Sequence, residues 1–281
     1  PAPTLPASWS PTFRACWASV FEFTSDQLQL WLVSLFWPLC RITAFILSAP
    51  LLGHKNIPMP VKIGFALLFS IVLIPSLPPL PNIPLMSWAG LGIIIEQLLI
   101  GIAIGLVMRV TFTVVQTAGD IIGLQMGLAF ATFFSADTGT NSMVLSRLLY
   151  MLSLLIFLAF DGHLMVLELL AGTFTELPIG SVHFSPNAWD MLVRYGATIF
   201  SAGLLLALPL VASLLLINLS MGILNRTAPQ LTVFSIGFPL TLLTGLVLLM
   251  ILMRDLGRFL QGLFGDALQF LHQLILSMPS P

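Results

Sequence analysis

Residues 113–134 read TVVQTAGDIIGLQMGLAFATFF and hold more polar and glycine positions than any neighbouring stretch of an otherwise apolar chain. Gly119, Gly123, Gly127 and Ala131 recur at every fourth position. On a helix they form one slowly winding ridge along which backbones can approach closely. Each glycine costs about 1 kcal/mol relative to alanine in a helix interior, so the segment is expected to be stable only where neighbours clasp it. Phe112, Phe130, Phe133 and Phe134 flank the ridge with rings, whereas Gln116, Asp120 and Gln125, with Met126 between the glycines, add bulk and polarity. Lipid penalises such polarity. Two compatible readings follow: a helix-packing face, and a mobile constriction that acts as a gasket inside a protein pore. The similar spacing of Gly101 and Gly105 reads as ordinary helix packing.

The surrounding chain supports a membrane setting. Of its 281 residues, 58% are hydrophobic and only 7% are charged, against about 25% charged in a soluble domain. Apolar runs fall at 28–52, 61–77, 85–108, 144–160, 199–224 and 231–253. Runs near 20 residues cross about 30 Å of hydrocarbon, so an all-α, multi-span membrane protein with six candidate spans is expected. Pro38, Pro50, Pro75, Pro209 and Pro239 lie inside or at the ends of these runs, which predicts kinked helices. In lipid such breaks need protein or water to satisfy the freed carbonyls, so many protein neighbours are expected.

Charges give a partial orientation. His54, Lys55 and Lys62 join the first two runs and mark a cytoplasmic loop, whereas the second and third runs are joined without charge. Arg109 and Arg226 agree, as does the absence of Lys and Arg from the acidic stretch 161–176, but Arg254 and Arg258 break the alternation. Arg41, Glu96 and Arg147 fall within or at the edge of apolar runs. A charge at mid-membrane costs at least about 2.5 kcal/mol, so each should face a partner or water, in an ion pair or in a proton relay. The tail 255–277 places Leu256, Phe259, Leu260, Leu263, Phe264, Ala267, Leu268 and Leu271 at helical spacing, an amphipathic helix expected to lie on a surface or pack on a partner.

Several functions are disfavoured. Net charge is −1 and the ten Lys and Arg are scattered, which argues against a nucleic-acid partner. Cys16 and Cys40 imply no disulfide framework, and His54, His163, His183 and His272 are isolated from one another, so no metal or other cofactor is expected. No GxxxxGK[ST] or HExxH occurs, nor a nucleophile with an evident base, so the chain does not read as an enzyme. Residues 1–20, rich in Pro and Ser and without an apolar core, read as a flexible N-terminal extension.

Three stretches carry a resemblance: DIIGLQMGLAFATF at 120–133, FDGHLMVLELL at 160–170 and NRTAPQLTVFSIGFPLT at 225–241. Together they resemble the FliR family of flagellar export-gate components, from about Phe21 to the C-terminus. Injectisome counterparts look similar, but the longer NRTAPQL form leans to the flagellar branch. The resemblance implies a subunit that assembles with FliP and FliQ, alongside FlhB and FlhA, into a pore for unfolded flagellar proteins. It implies a place in the bacterial inner membrane within the flagellar basal body, among membrane lipid. It also implies a FliP-like part at 21–186 and a FliQ-like hairpin at 187–281. Carried to these residues, 111–134 becomes an inward loop that occludes the pore. Asn225, Arg226, Pro229 and Gln230 belong to a turn near the cytoplasmic entrance. The competing reading is a self-sufficient proton-coupled carrier that holds its substrate or proton at Glu96 and Asp120.

Overall fold

One uninterrupted helix of 38 residues, Trp88–Gln125, organises the chain. The computed structural model that shows it describes residues 25–54, 56–78, 81, 83, 87–128, 144–180, 185–227 and 237–278. The helix starts where the Ser87 hydroxyl accepts the Gly90 amide at 3.0 Å, satisfying one of the donors that a helix N-terminus leaves unpaired. No proline follows until the helix has ended. At 1.5 Å per residue it runs about 57 Å, nearly twice the hydrocarbon thickness, so it must extend beyond the bilayer core or lie strongly tilted in it.

Eight α-helices are present among the described residues, in the order α1 (Ser25–Ser48), α2 (Met59–Leu73), α3 (Trp88–Gln125), α4 (Val144–Ala159), α5 (Gly162–Glu176), α6 (Pro186–Tyr195), α7 (Thr198–Thr227) and α8 (Phe238–Ser277). Helix α3 is the hub, packed against α1, α4 and α7 along most of its length and touching α6 and α8. Their shared core is contiguous, and residues from before and after position 187 contribute to it.

The result is a multi-span helical membrane protein. Among the described residues four helical stretches are long and apolar enough to span: Met59–Ser76, Trp88–Gln125, Pro186–Thr227 and Phe238–Ser277. Helices α4 and α5, bent by 69° against each other, make a fifth if taken as one broken span. Helix α1 runs 24 residues, and its stretch Val33–Ser48 is a shorter apolar helix segment. The acidic stretch 161–176 is no simple loop: it is α5, with Val166, Leu170, Thr173 and Phe174 buried. The chain turns into it at Asp161, held at φ 54°, an uncommon backbone state for a residue with a Cβ. Only Pro38 and Pro209 lie inside helices. Pro75 sits in the 3₁₀ turn that ends α2, and a proline in the first turn of α8 sacrifices no helical bond.

The sixth run and the amphipathic tail are one helix. In α8, Leu243, Val247, Met250 and Ile251 stay exposed, while Leu256, Leu260, Phe264, Ala267, Leu271 and Leu274 are buried. The apolar face of the tail therefore docks on the chain's own α3, α4, α5 and α6, where a surface or partner had been expected. Close helix crossings follow the glycines. A Cβ on Gly101 would lie 2.7 Å from Ala44 Cβ, and one on Gly105 would meet Ser48, so α1 crosses α3 where the latter has no side chain.

Candidate functional site

The C-terminal half of α3 carries most of the residues singled out in the sequence, and the structure sorts them onto two faces. Residues 111–125 are helix, so the inward loop expected at 111–134 cannot start before Met126. On the inner face Phe112, Gly119, Gly123 and Met126 are buried in the chain's own core. Gln116 and Asp120 are half-buried and share one strip with Thr113 and Thr117, whereas Gln125, also half-buried, lies about 140° round the helix from Asp120. The ridge is thus a packing face, and the polar residues lie on the side that this chain only partly covers.

Helices α4, α7 and α8 clasp this part of α3. A Cβ on Gly119 would sit 2.5 Å from Ser146 Cα on α4. On α7, a Cβ at Gly203 would lie 3.1 Å from the Val114 carbonyl oxygen. Gly245 of α8 leaves room for the Met126 side chain, with Cγ 2.7 Å from where a Cβ would be. Phe112 joins an aromatic cluster, its ring centre 5.3 Å from Phe157 and 5.2 Å from Phe264, with Tyr150 edge-on at 6.1 Å. The Thr111 and Tyr195 hydroxyls pair at 3.1 Å, and Tyr195 stacks on Phe270 at 4.1 Å, which ties α6 and α8 to this end of α3. Sequence periodicity identified the ridge but not these partners, because they come from four other helices.

The helix stops at Gly127 for a local reason. Gly127 has φ 79°, its amide donates to Leu124 O at 3.1 Å, and the Leu128 amide donates to Gly123 O at 3.0 Å. These two bonds form a Schellman motif, which needs a left-handed residue at the turn. Gly127 therefore ends the ridge instead of continuing it. Gly127→Ala should cost about 1–2 kcal/mol through left-handed strain, read as a lower unfolding midpoint of the purified protein. An unchanged midpoint would show that the stop is not specified there. Phe130, Phe133 and Phe134 lie outside the described residues, as do Pro229 and Gln230. Asn225 and Arg226 are exposed in the last turn of α7, so the expected turn cannot begin before Ala228.

The intramembrane charges separate as well. Arg41 is fully buried on α1. Its Nε donates to Gln97 Oε1 at 2.8 Å, Nη1 to the Thr173 carbonyl at 2.9 Å and to Thr173 Oγ1 at 3.1 Å, and Nη2 to the Leu177 carbonyl at 2.9 Å. The guanidinium also lies 4.2 Å from the Phe174 ring centre. Arg41 therefore caps the C-terminal carbonyls of α5, where a cation is favoured. Gln97 Nε2 passes the network on to Glu96 Oε1 at 2.9 Å, and the Gly180 amide donates to the same oxygen at 3.2 Å. Arg41 and Glu96 thus share one buried network within the chain, which pins α1, α3, α5 and the turn after α5 together. Gln97, Thr173 and Gly180 were not legible as members because they contribute a neutral amide, a backbone carbonyl with a hydroxyl, and a backbone amide. Arg147 is exposed near the start of α4 and forms no ion pair among the described residues. Its position at the end of the run, not the middle, is the reason.

No group of His, Cys, Asp and Glu able to hold a metal occurs among the described residues. The arrangement offers a rigid post with a polar strip and a specified stop. Comparison with known proteins bears on what such a post is for. The family description "Bacterial export proteins, family 1" matches residues 32–267. The chain is 45% identical over 260 residues to "Flagellar biosynthetic protein FliR" of Escherichia coli (strain K12), covering 92% of this chain and 99% of that protein. It is 43% identical over 261 residues to the protein of the same description from Pectobacterium carotovorum subsp. carotovorum, covering 93% and 100%. The Bacillus subtilis (strain 168) protein so described is 29% identical over 240 residues, covering 84% and 92%.

Proposed function

The chain belongs to the bacterial export proteins, family 1, and from that premise we propose that it is a core, non-enzymatic subunit of the flagellar protein export gate. In this reading it stands in the bacterial inner membrane, within the flagellar basal body. It assembles with FliP and FliQ, with FlhB and FlhA as neighbours, around a conduit for unfolded flagellar proteins. Residues 21–186 serve as a FliP-like part and 187–281 as a FliQ-like hairpin, although both contribute to one core.

The observation that carries the proposal is the half-covered strip of Thr113, Gln116, Thr117 and Asp120 on a helix whose other face is packed. A carboxylate such as Asp120 is costly against acyl chains, so this strip calls for water or for another protein's polar groups. A gate subunit supplies both. Helix α3 then acts as a fixed post, and the chain beyond the Gly127 stop, including Phe130, Phe133 and Phe134, forms the yielding constriction. Asn225, Arg226, Pro229 and Gln230 contribute contacts near the cytoplasmic mouth. Export work comes from partners, since the sequence offers no nucleotide-binding motif.

The test is assembly. Expressed with FliP and FliQ, the chain should purify as one stoichiometric hetero-oligomer and should move no substrate into liposomes alone. Flux by the isolated chain would instead establish the carrier reading. Within the gate reading Glu96→Gln should leave export largely intact. The neutral amide keeps an oxygen for the Gly180 and Gln97 donors, and the substitution should cost about 1 kcal/mol as a weakened hydrogen-bond network. Complete loss of export with normal assembly would make Glu96 a proton relay.

A further inference from the structure

A cavity of about 190 Å³ opens between α1, α2, α3, α4 and α5, beneath the bend at Asp161. Its floor is Phe45, Ala49, Met108, Phe112, Phe157 and Val166, all buried. Leu51, Leu52 and Phe65 form part of the rim, and His163 is the single polar side chain in the lining. Phe65 is exposed on α2, beside the more exposed Val61, Leu68 and Val72. Phe65 lies within Met59–Ser76, a stretch long and apolar enough to span a membrane, so the mouth opens on an apolar outer face.

We propose that this cavity holds a hydrocarbon chain, the acyl tail of a membrane phospholipid. Two observations select that occupant. His163, whose Nδ1 is buried without a hydrogen-bond partner, is the single polar side chain in the lining, so a water-soluble metabolite would bury most of its polar groups against carbon. An empty apolar space leaves its lining without contact atoms, and an apolar cavity of about 150 Å³ already admits a benzene-sized guest. The tail enters past Phe65 and ends against Phe112 and Phe157, so it braces the outer side of the aromatic cluster that seats α3. This inference needs only the cavity and the membrane, and stands independently of the export reading.

The experiment uses the full chain, purified with the subunits that accompany it and placed in nanodiscs of phosphatidylcholine carrying a diazirine on one acyl chain. After illumination, peptides containing Phe45, Met108 and Val166 should carry the label. Val166→Phe, which fills the floor, and Leu167→Trp, which narrows the rim, should both lose it. Label on Leu68 and Val72 should persist as the control for lipid contact. If Val166→Phe fails to assemble, the rim variant alone decides. Floor peptides that stay unlabelled in the parent, or that label equally in Leu167→Trp, overturn the proposal.

Discussion

Arg41→Ala should cost the folded chain about 3–5 kcal/mol, the range seen when one partner of a buried charged network is removed. The loss has identifiable parts. Gln97 Oε1, the Thr173 carbonyl and the Leu177 carbonyl each lose a donor, and Phe174 loses the cation over its ring. Glu96 keeps its charge without the compensating guanidinium nearby. Arg41→Lys should not restore stability. One ammonium cannot present a planar fork to acceptors on α3, at the end of α5 and in the turn beyond it, nor stack on Phe174 in the same way. The measurement is the unfolding midpoint of the purified protein, with membrane insertion checked separately. Equal midpoints for parent and alanine variant would show that the network holds nothing together.

Gly119→Val is expected to be as damaging by a different route. Even the first added carbon would lie 2.5 Å from Ser146 Cα and 3.0 Å from Ser146 N. These are backbone atoms of α4 and cannot swing aside, so the two helices must part, and about 3 kcal/mol or more of overpacking strain is expected. The displaced α3 would carry Met126 and Gly127 with it, so export and motility should fail even where protein accumulates. Gly172→Ala is the matched control: nothing lies within 4 Å of its added carbon, and alanine favours helix by up to about 1 kcal/mol. A tolerated Gly119→Val would mean that α3 and α4 do not cross closely here.

How much of this was readable from residue order differs by feature. Periodicity revealed the ridge at 119–127 and the amphipathic tail, because both depend on spacing along one helix. What each face packs against was not readable. The buried side of the tail meets α3 through Phe264 and Phe112, residues more than 150 positions apart. The apolar run ends at Met108, but α3 continues past Arg109, Gln116 and Asp120 to Gln125. A clasped helix tolerates such residues on its uncovered side, and it stops where Gly127 forms the Schellman turn. Arg41 and Glu96 were recognisable as costly charges needing partners. Their meeting inside one chain depends on α5 folding back at Asp161, and no local pattern encodes that.

The central claim is that the end of α3 and the segment after it face a protein conduit, while the outward apolar helices do not. Photo-crosslinking in intact basal bodies tests this directly, with the reactive residue placed at position 120, 130 or 133, or on the outer face of α2 at position 68 or 72, and an export substrate stalled in transit. The account predicts substrate adducts at 120, 130 and 133 and none at 68 or 72. Adducts confined to 68 and 72, or a stalled substrate that reacts with none of the five positions, would contradict it.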